Sequence, residues 1–129
     1  MDEQCAVCVE APERDWAGNW KSFVGFWGLP AVIMVGAWIL AEPMPRALLW
    51  SLMLVWMGAA CIANARRCSR THCRFTGPFF LLMAVLVAAY GAGMLPLGTY
   101  GWIGLSGVAL FGNAILRWGS ERLWGRFTR

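Results

Sequence analysis

Three of the chain's five cysteines and its only histidine fall within Cys61 to Cys73, which reads Cys-Ile-Ala-Asn-Ala-Arg-Arg-Cys-Ser-Arg-Thr-His-Cys. Cys68, His72 and Cys73 offer two thiols and an imidazole, donors that suit Zn(II), Cu(I) and Hg(II) better than Mg(II) or Ca(II). The other two cysteines form Cys5-Ala-Val-Cys8 near the N-terminus. Both clusters together supply four thiols and one imidazole, enough to close a tetrahedral site. Cys68, His72 and Cys73 are therefore candidate ligands for a soft metal ion, with Cys5 and Cys8 as additional ones. Arg66, Arg67, Arg70 and Arg74 form an electropositive loop around them. Positive charge favours the thiolate, which is the form that binds metal or attacks an electrophile. The same arginines serve equally well as topology signals.

The elements that must hold these groups are apolar. Of the 129 residues, 59% are hydrophobic and 14% charged, against about 25% charged in an ordinary soluble domain. Apolar runs near 20 residues long match the thickness of a bilayer. They predict an all-α membrane protein, a four-transmembrane-helix bundle running up-down-up-down, with spans at 22–41, 46–64, 78–96 and 100–117. Residues 1–21 form an acidic tail, 65–77 a loop on the same side, and 118–129 a basic tail suited to the membrane interface. Pro30 predicts a kink in the first span. Glu42-Pro-Met-Pro45 and Pro96-Leu-Gly-Thr99 predict tight turns. No glycine or proline lies between Asn64 and Phe75, so the second helix is expected to run on to about Cys73. Cys61, Asn64, Cys68 and His72 would then share one helix face. Thr76 is a candidate N-cap for the third helix, with Pro78 in its first turn.

Charge distribution sets an orientation. Asp2, Glu3, Glu10, Glu13 and Asp15 stand against Arg14 at the N-terminus, and all eleven basic residues except Arg46 fall on the side of the tails and the 65–77 loop. The positive-inside rule places that side in the cytoplasm, in the setting of a bacterial inner membrane. The acidic N-terminus has no basic n-region, so no cleaved signal peptide is expected. Thiols facing the cytosol are kept reduced, which argues against a structural disulfide framework and for free, redox-active or metal-bound cysteines. Asn64 and Asn113 each lie just inside the cytoplasmic end of a span. With Cys61 they form a candidate polar mouth to the bundle, or simply a helix–helix hydrogen bond. Partners are the bilayer and a homo-oligomer or larger membrane complex. No nucleic-acid motif accompanies the basic charge.

Cys68 and Cys73, in the loop between the second and third spans, give the chain a loose resemblance to the mercuric transport proteins of bacterial mercury resistance. That family implies Hg(II) passing to cytoplasmic cysteines, and also a vicinal cysteine pair in the first span. Residues 22–41 hold no cysteine. The sequence therefore leads to a non-enzymatic membrane protein that binds or transfers a soft metal ion. A non-catalytic accessory or scaffold subunit and a thiol oxidoreductase are the competing classes.

Overall fold

A computed structural model describes residues 8, 10, 11 and 14–126. The described residues are all-helical, with four long helices among them. We call them α1 (Trp20–Leu40), α2 (Pro43–Cys68), α3 (Thr71–Gly91) and α4 (Gly101–Trp124). The first three are long and apolar enough to cross a membrane. Leucines, valines and isoleucines such as Val32, Leu52, Val85 and Ile115 are exposed on their outer faces, as expected of a surface that meets lipid.

Consecutive helices pack on one another. Trp50 Nε1 donates to Met34 O at 2.9 Å between α2 and α1, and Ser51 Oγ donates to Ala84 O at 3.2 Å between α2 and α3. The α2–α3 pair is the closest because its facing residues are small. A Cβ at Gly77 would lie 2.7 Å from Ile62 Cγ1, and one at Gly58 would lie 3.1 Å from Gly77 O. Small residues at such crossings let backbones approach where lipid supplies no hydrophobic driving force. Phe79 of α3 packs over Gly112 of α4, and Tyr90 over Gly101. α1 and α4 flank a groove floored by α2 and α3.

The helix boundaries depart from the sequence reading in instructive ways. The expected kink at Pro30 takes the form of a π-helical segment just before it, Val24–Gly28, with Leu29 N–H bonded to Val24 O. Pro30 has no N–H to continue the α pattern, so the ladder adjusts one turn earlier. Pro43 and Pro45 do not form a separate turn but make up the first turn of α2, where their missing donors are not needed. The second helix stops at Cys68 and does not reach Cys73. Ser69 takes the left-handed conformation (φ 49°, ψ 34°) and its N–H caps Ala65 O. α3 starts at Thr71, seven residues before the expected position, which puts Pro78 inside it. Thr76 is no N-cap, since its hydroxyl lies 2.9 Å from His72 O, one turn back along α3. α4 continues to Trp124, so residues 118–124 extend a bundle helix.

Candidate functional site

The α2–α3 corner sets the site. Because α2 ends at Cys68 and α3 begins at Thr71, Cys61 of α2 and His72, Cys73 and Thr76 of α3 face one another across the tight Gly58–Gly77 crossing. Cys61 and Cys73 are free thiols, 1% and 0% exposed, and they belong to one buried cluster. Around Cys61 lie the Thr76 hydroxyl at 3.4 Å and the Trp27 indole of α1. Around Cys73 lie His72 Nε2 at 3.3 Å and Asn64 Nδ2 at 3.6 Å.

His72 is held from behind. Its Nδ1 sits 2.6 Å from Glu121 Oε1 on α4. An ionised carboxylate only accepts hydrogen bonds, so Nδ1 carries the proton and Nε2 faces Cys73 as a base. Burial works against the charge of Glu121, but the His72 hydrogen bond and the Arg70 guanidinium outweigh it and hold its carboxyl below the usual range. Cys73, His72 and Glu121 thus form a chain of thiol, imidazole and carboxylate.

Residues 14–19 lie over this corner as a strap. Asp15, 3% exposed, is the anchor. Its Oδ2 pairs with Arg70 Nη1 at 2.6 Å, and its Oδ1 accepts from Asn64 Nδ2 at 2.9 Å and from Ala17 N–H at 3.1 Å. Trp16 N–H donates to Asn64 Oδ1 at 3.0 Å, and the Arg67 guanidinium stacks on the Trp16 ring, 4.5 Å from its centroid. Further back along the chain, Cys8 forms a disulfide with Cys68.

This arrangement revises the expected ligand set. Cys68 and Cys8 are bonded to each other, so their sulfurs do not converge on His72 and Cys73. His72 does not share the α2 face, since it belongs to the next helix. Cys61, not among the expected ligands, is brought to His72 and Cys73 by the antiparallel return of α3. Cys5 lies outside the described residues. Among the described residues, no three or more His, Cys, Asp or Glu side chains form a group that could hold a metal ion. Asn64 and Asn113 do not pair. Asn64 is fully buried under the strap, while Asn113 lines the groove between α1 and α4. Of the four loop arginines, Arg66, Arg67 and Arg74 are exposed. Arg70 is buried, and it faces the two carboxylates of Asp15 and Glu121.

Sequence reasoning missed Asp15, Glu121 and Trp27. The available signal was that Glu121 is the one acid in a basic tail. Two cavities approach the site from different sides. An outer one of about 360 Å³ is lined by Cys73 with Arg66, Arg70 and Arg74. An inner one of about 270 Å³, between α1 and α4, is lined by Cys61 and His72. No protein-family model, curated protein or solved structure matches this chain.

Proposed function

We infer that this chain is a membrane thiol oxidoreductase whose four described cysteines act as two pairs. It is a four-span, up-down-up-down bundle with both termini and the Cys8–Cys68 pair on the cytoplasmic side of a bacterial inner membrane. The observation that carries the reading is the coexistence, at one helix corner, of a disulfide and a buried dithiol with a histidine base on one of its sulfurs. A disulfide on the side of a reducing compartment is more often catalytic or sensing than structural.

The exchange proceeds as follows. Cys73 gives its proton to His72 Nε2 and attacks Cys68 Sγ. The bond from Cys68 to Cys8 breaks, and Cys8 leaves as a thiolate that takes up a proton. Cys61 then attacks Cys73 in the Cys68–Cys73 mixed disulfide and releases Cys68. One disulfide has moved from Cys8–Cys68 to Cys61–Cys73, two protons have moved the other way, and no outside oxidant is consumed. Asn64, which touches Cys73, is one turn before Cys68 on α2, about 6 Å along the axis. The first attack therefore requires the last turn of α2 to shift about the left-handed Ser69 corner.

The test starts from protein carrying only the Cys8–Cys68 disulfide and maps the pairing with time by peptide mass spectrometry. A Cys61–Cys73 disulfide should appear, and in Cys61→Ser the Cys68–Cys73 mixed disulfide should accumulate. Pairing that never leaves Cys8–Cys68 would refute the exchange. Orientation is tested separately in intact cells with a membrane-impermeant maleimide. Leu97→Cys should be labelled and Arg126→Cys should not, and the opposite pattern reverses the topology.

Soft-metal handling is the second reading, and one observation favours it. Two buried free thiols in one cluster suffice for a linear Cu(I) or Hg(II) site, with His72 beside Cys73 as a further donor. Stoichiometric retention of Cu(I) or Hg(II), abolished in a Cys61→Ser/Cys73→Ser variant and unaffected by Cys8→Ser, would select this reading. A scaffold subunit would show neither exchange nor retention.

A further inference from the structure

The groove between α1 and α4 changes character along its length. At the α2–α3 corner it is walled by Cys61, His72, Thr76, Asn113 and Arg117. It continues as a second cavity of about 160 Å³ lined by Met34, Trp50, Leu54 and Leu110. The two share Ala31, Met57, Phe80, Leu110 and Asn113, so they form one passage. Together they reach the size of small-molecule sites, roughly 300–1,000 Å³.

Two polar groups lining this passage lack side-chain hydrogen-bond partners among the described residues. The buried Ser106 hydroxyl lines the second cavity and has no hydrogen bond. The Asn113 amide lines both cavities and makes no side-chain hydrogen bond. An unpaired polar group in an apolar setting is costly and calls for a partner. The passage therefore offers hydrogen-bond donors near a dithiol, with an apolar channel leading away from them.

We propose that this groove binds a lipid-soluble quinone, with its ring carbonyl at Asn113 and Arg117, its ring against Cys61, and its tail along Met34, Trp50 and Leu54. The proposal rests on the redox reading of the dithiol given above. A quinone matches each part of the passage. Its carbonyls only accept, which suits the Asn113 amide and the Arg117 guanidinium. Its flat ring suits a cavity lined by the aromatic rings of Trp27 and Phe80, and its tail is apolar. The reaction balances. The Cys61 and Cys73 thiols give up two electrons and two protons, their sulfurs join as a disulfide, and the quinone becomes a quinol. The buried pair would then oxidise Cys8 and Cys68 by the exchange described above, run in reverse.

Binding and chemistry are tested separately, using a benzoquinone with a decyl tail. In the redox-dead Cys61→Ser/Cys73→Ser protein, the quinone should quench tryptophan fluorescence saturably, and Trp27→Phe should remove most of the quench. Asn113→Leu should raise the half-saturating concentration at least tenfold. Ser106→Leu, from the other end of the passage, provides a second blocking variant should Asn113→Leu fold poorly. In reduced Cys8→Ser/Cys68→Ser protein, where the second pair cannot accept it, one quinol should form per disulfide, and that disulfide should map to Cys61–Cys73. Quenching that rises linearly with quinone, or that phospholipid abolishes at equal concentration, overturns the site and leaves the groove as a lipid seat. Saturable binding without oxidation of Cys61 and Cys73 also overturns the proposal. Exchange between the two cysteine pairs is measured without quinone, so its failure is distinguishable from failure of the groove.

Discussion

Replacing Asp15 with Asn isolates the interaction that holds the strap over the site. The Asp15 and Arg70 side chains are 5% and 7% exposed and 2.6 Å apart. Breaking a buried pair by removing one charge costs about 3–5 kcal/mol, because the other charge is left buried without its counterion. Glu121 remains 3.1 Å from Arg70 Nε, but it is 26% exposed and already engaged by His72. The loss should therefore sit near the low end, about 3 kcal/mol. Since 1.4 kcal/mol is tenfold in an equilibrium, the strap should open on the order of a hundredfold more often. The assay is amide hydrogen exchange at Trp16, whose N–H is protected by Asn64 Oδ1, with the Cys8–Cys68 disulfide intact throughout. Asparagine can keep Oδ1 towards Asn64 and Ala17, so the change reports the charge rather than the cap. Adding Arg70→Met should recover much of the protection, because the buried guanidinium that lost its Asp15 partner is then gone. Exchange at Trp16 accelerated by less than about threefold, or a double variant as open as the two single losses combined, would refute the argument.

Three further outcomes follow from the same geometry. Gly77→Val should destabilise the protein by about 1–3 kcal/mol through overpacking, since its Cβ would meet Ile62 at 2.7 Å. It should also slow formation of the Cys61–Cys73 disulfide, measured by thiol mapping. The Glu121 carboxyl is held below its usual range, so its contribution should be fully present above the unfolded value of about 4.3 and disappear as pH falls through its lowered folded value. Thermal melts of Glu121→Gln should accordingly lie below the native protein at neutral pH and converge with it in acid. Trp50→Phe should cost about 0.5–1.5 kcal/mol by removing the indole hydrogen bond to Met34 O, read by chemical unfolding in detergent.

The chain carries its own class in composition. Long apolar runs cannot be buried in a soluble core of this size, so helices that satisfy their own backbone and face lipid are the remaining solution. Pro30 likewise announced a distortion in the first helix, and the crowding of Cys61, Cys68, His72 and Cys73 announced where chemistry would sit. Boundaries were less legible. Nothing in Arg67-Cys68-Ser69-Arg70 is a strong breaker, and Ser69 adopts a left-handed turn that serine does not favour by itself. Tertiary packing decides there. Closing α3 onto α2 across Gly58 and Gly77, and seating Arg70 between Asp15 and Glu121, offsets the cost of one strained residue. That corner determined which cysteines meet. A helix continued to Cys73 would have kept Cys73 about 18 Å from Cys61 along one axis. The turn at Ser69 instead folds Cys73 back against Cys61 and leaves Cys68 to Cys8. Spacing along a helix could be read from the sequence. Contacts between Cys61 and Cys73, or between His72 and Glu121 some 49 residues away, required the antiparallel packing that only the folded chain provides.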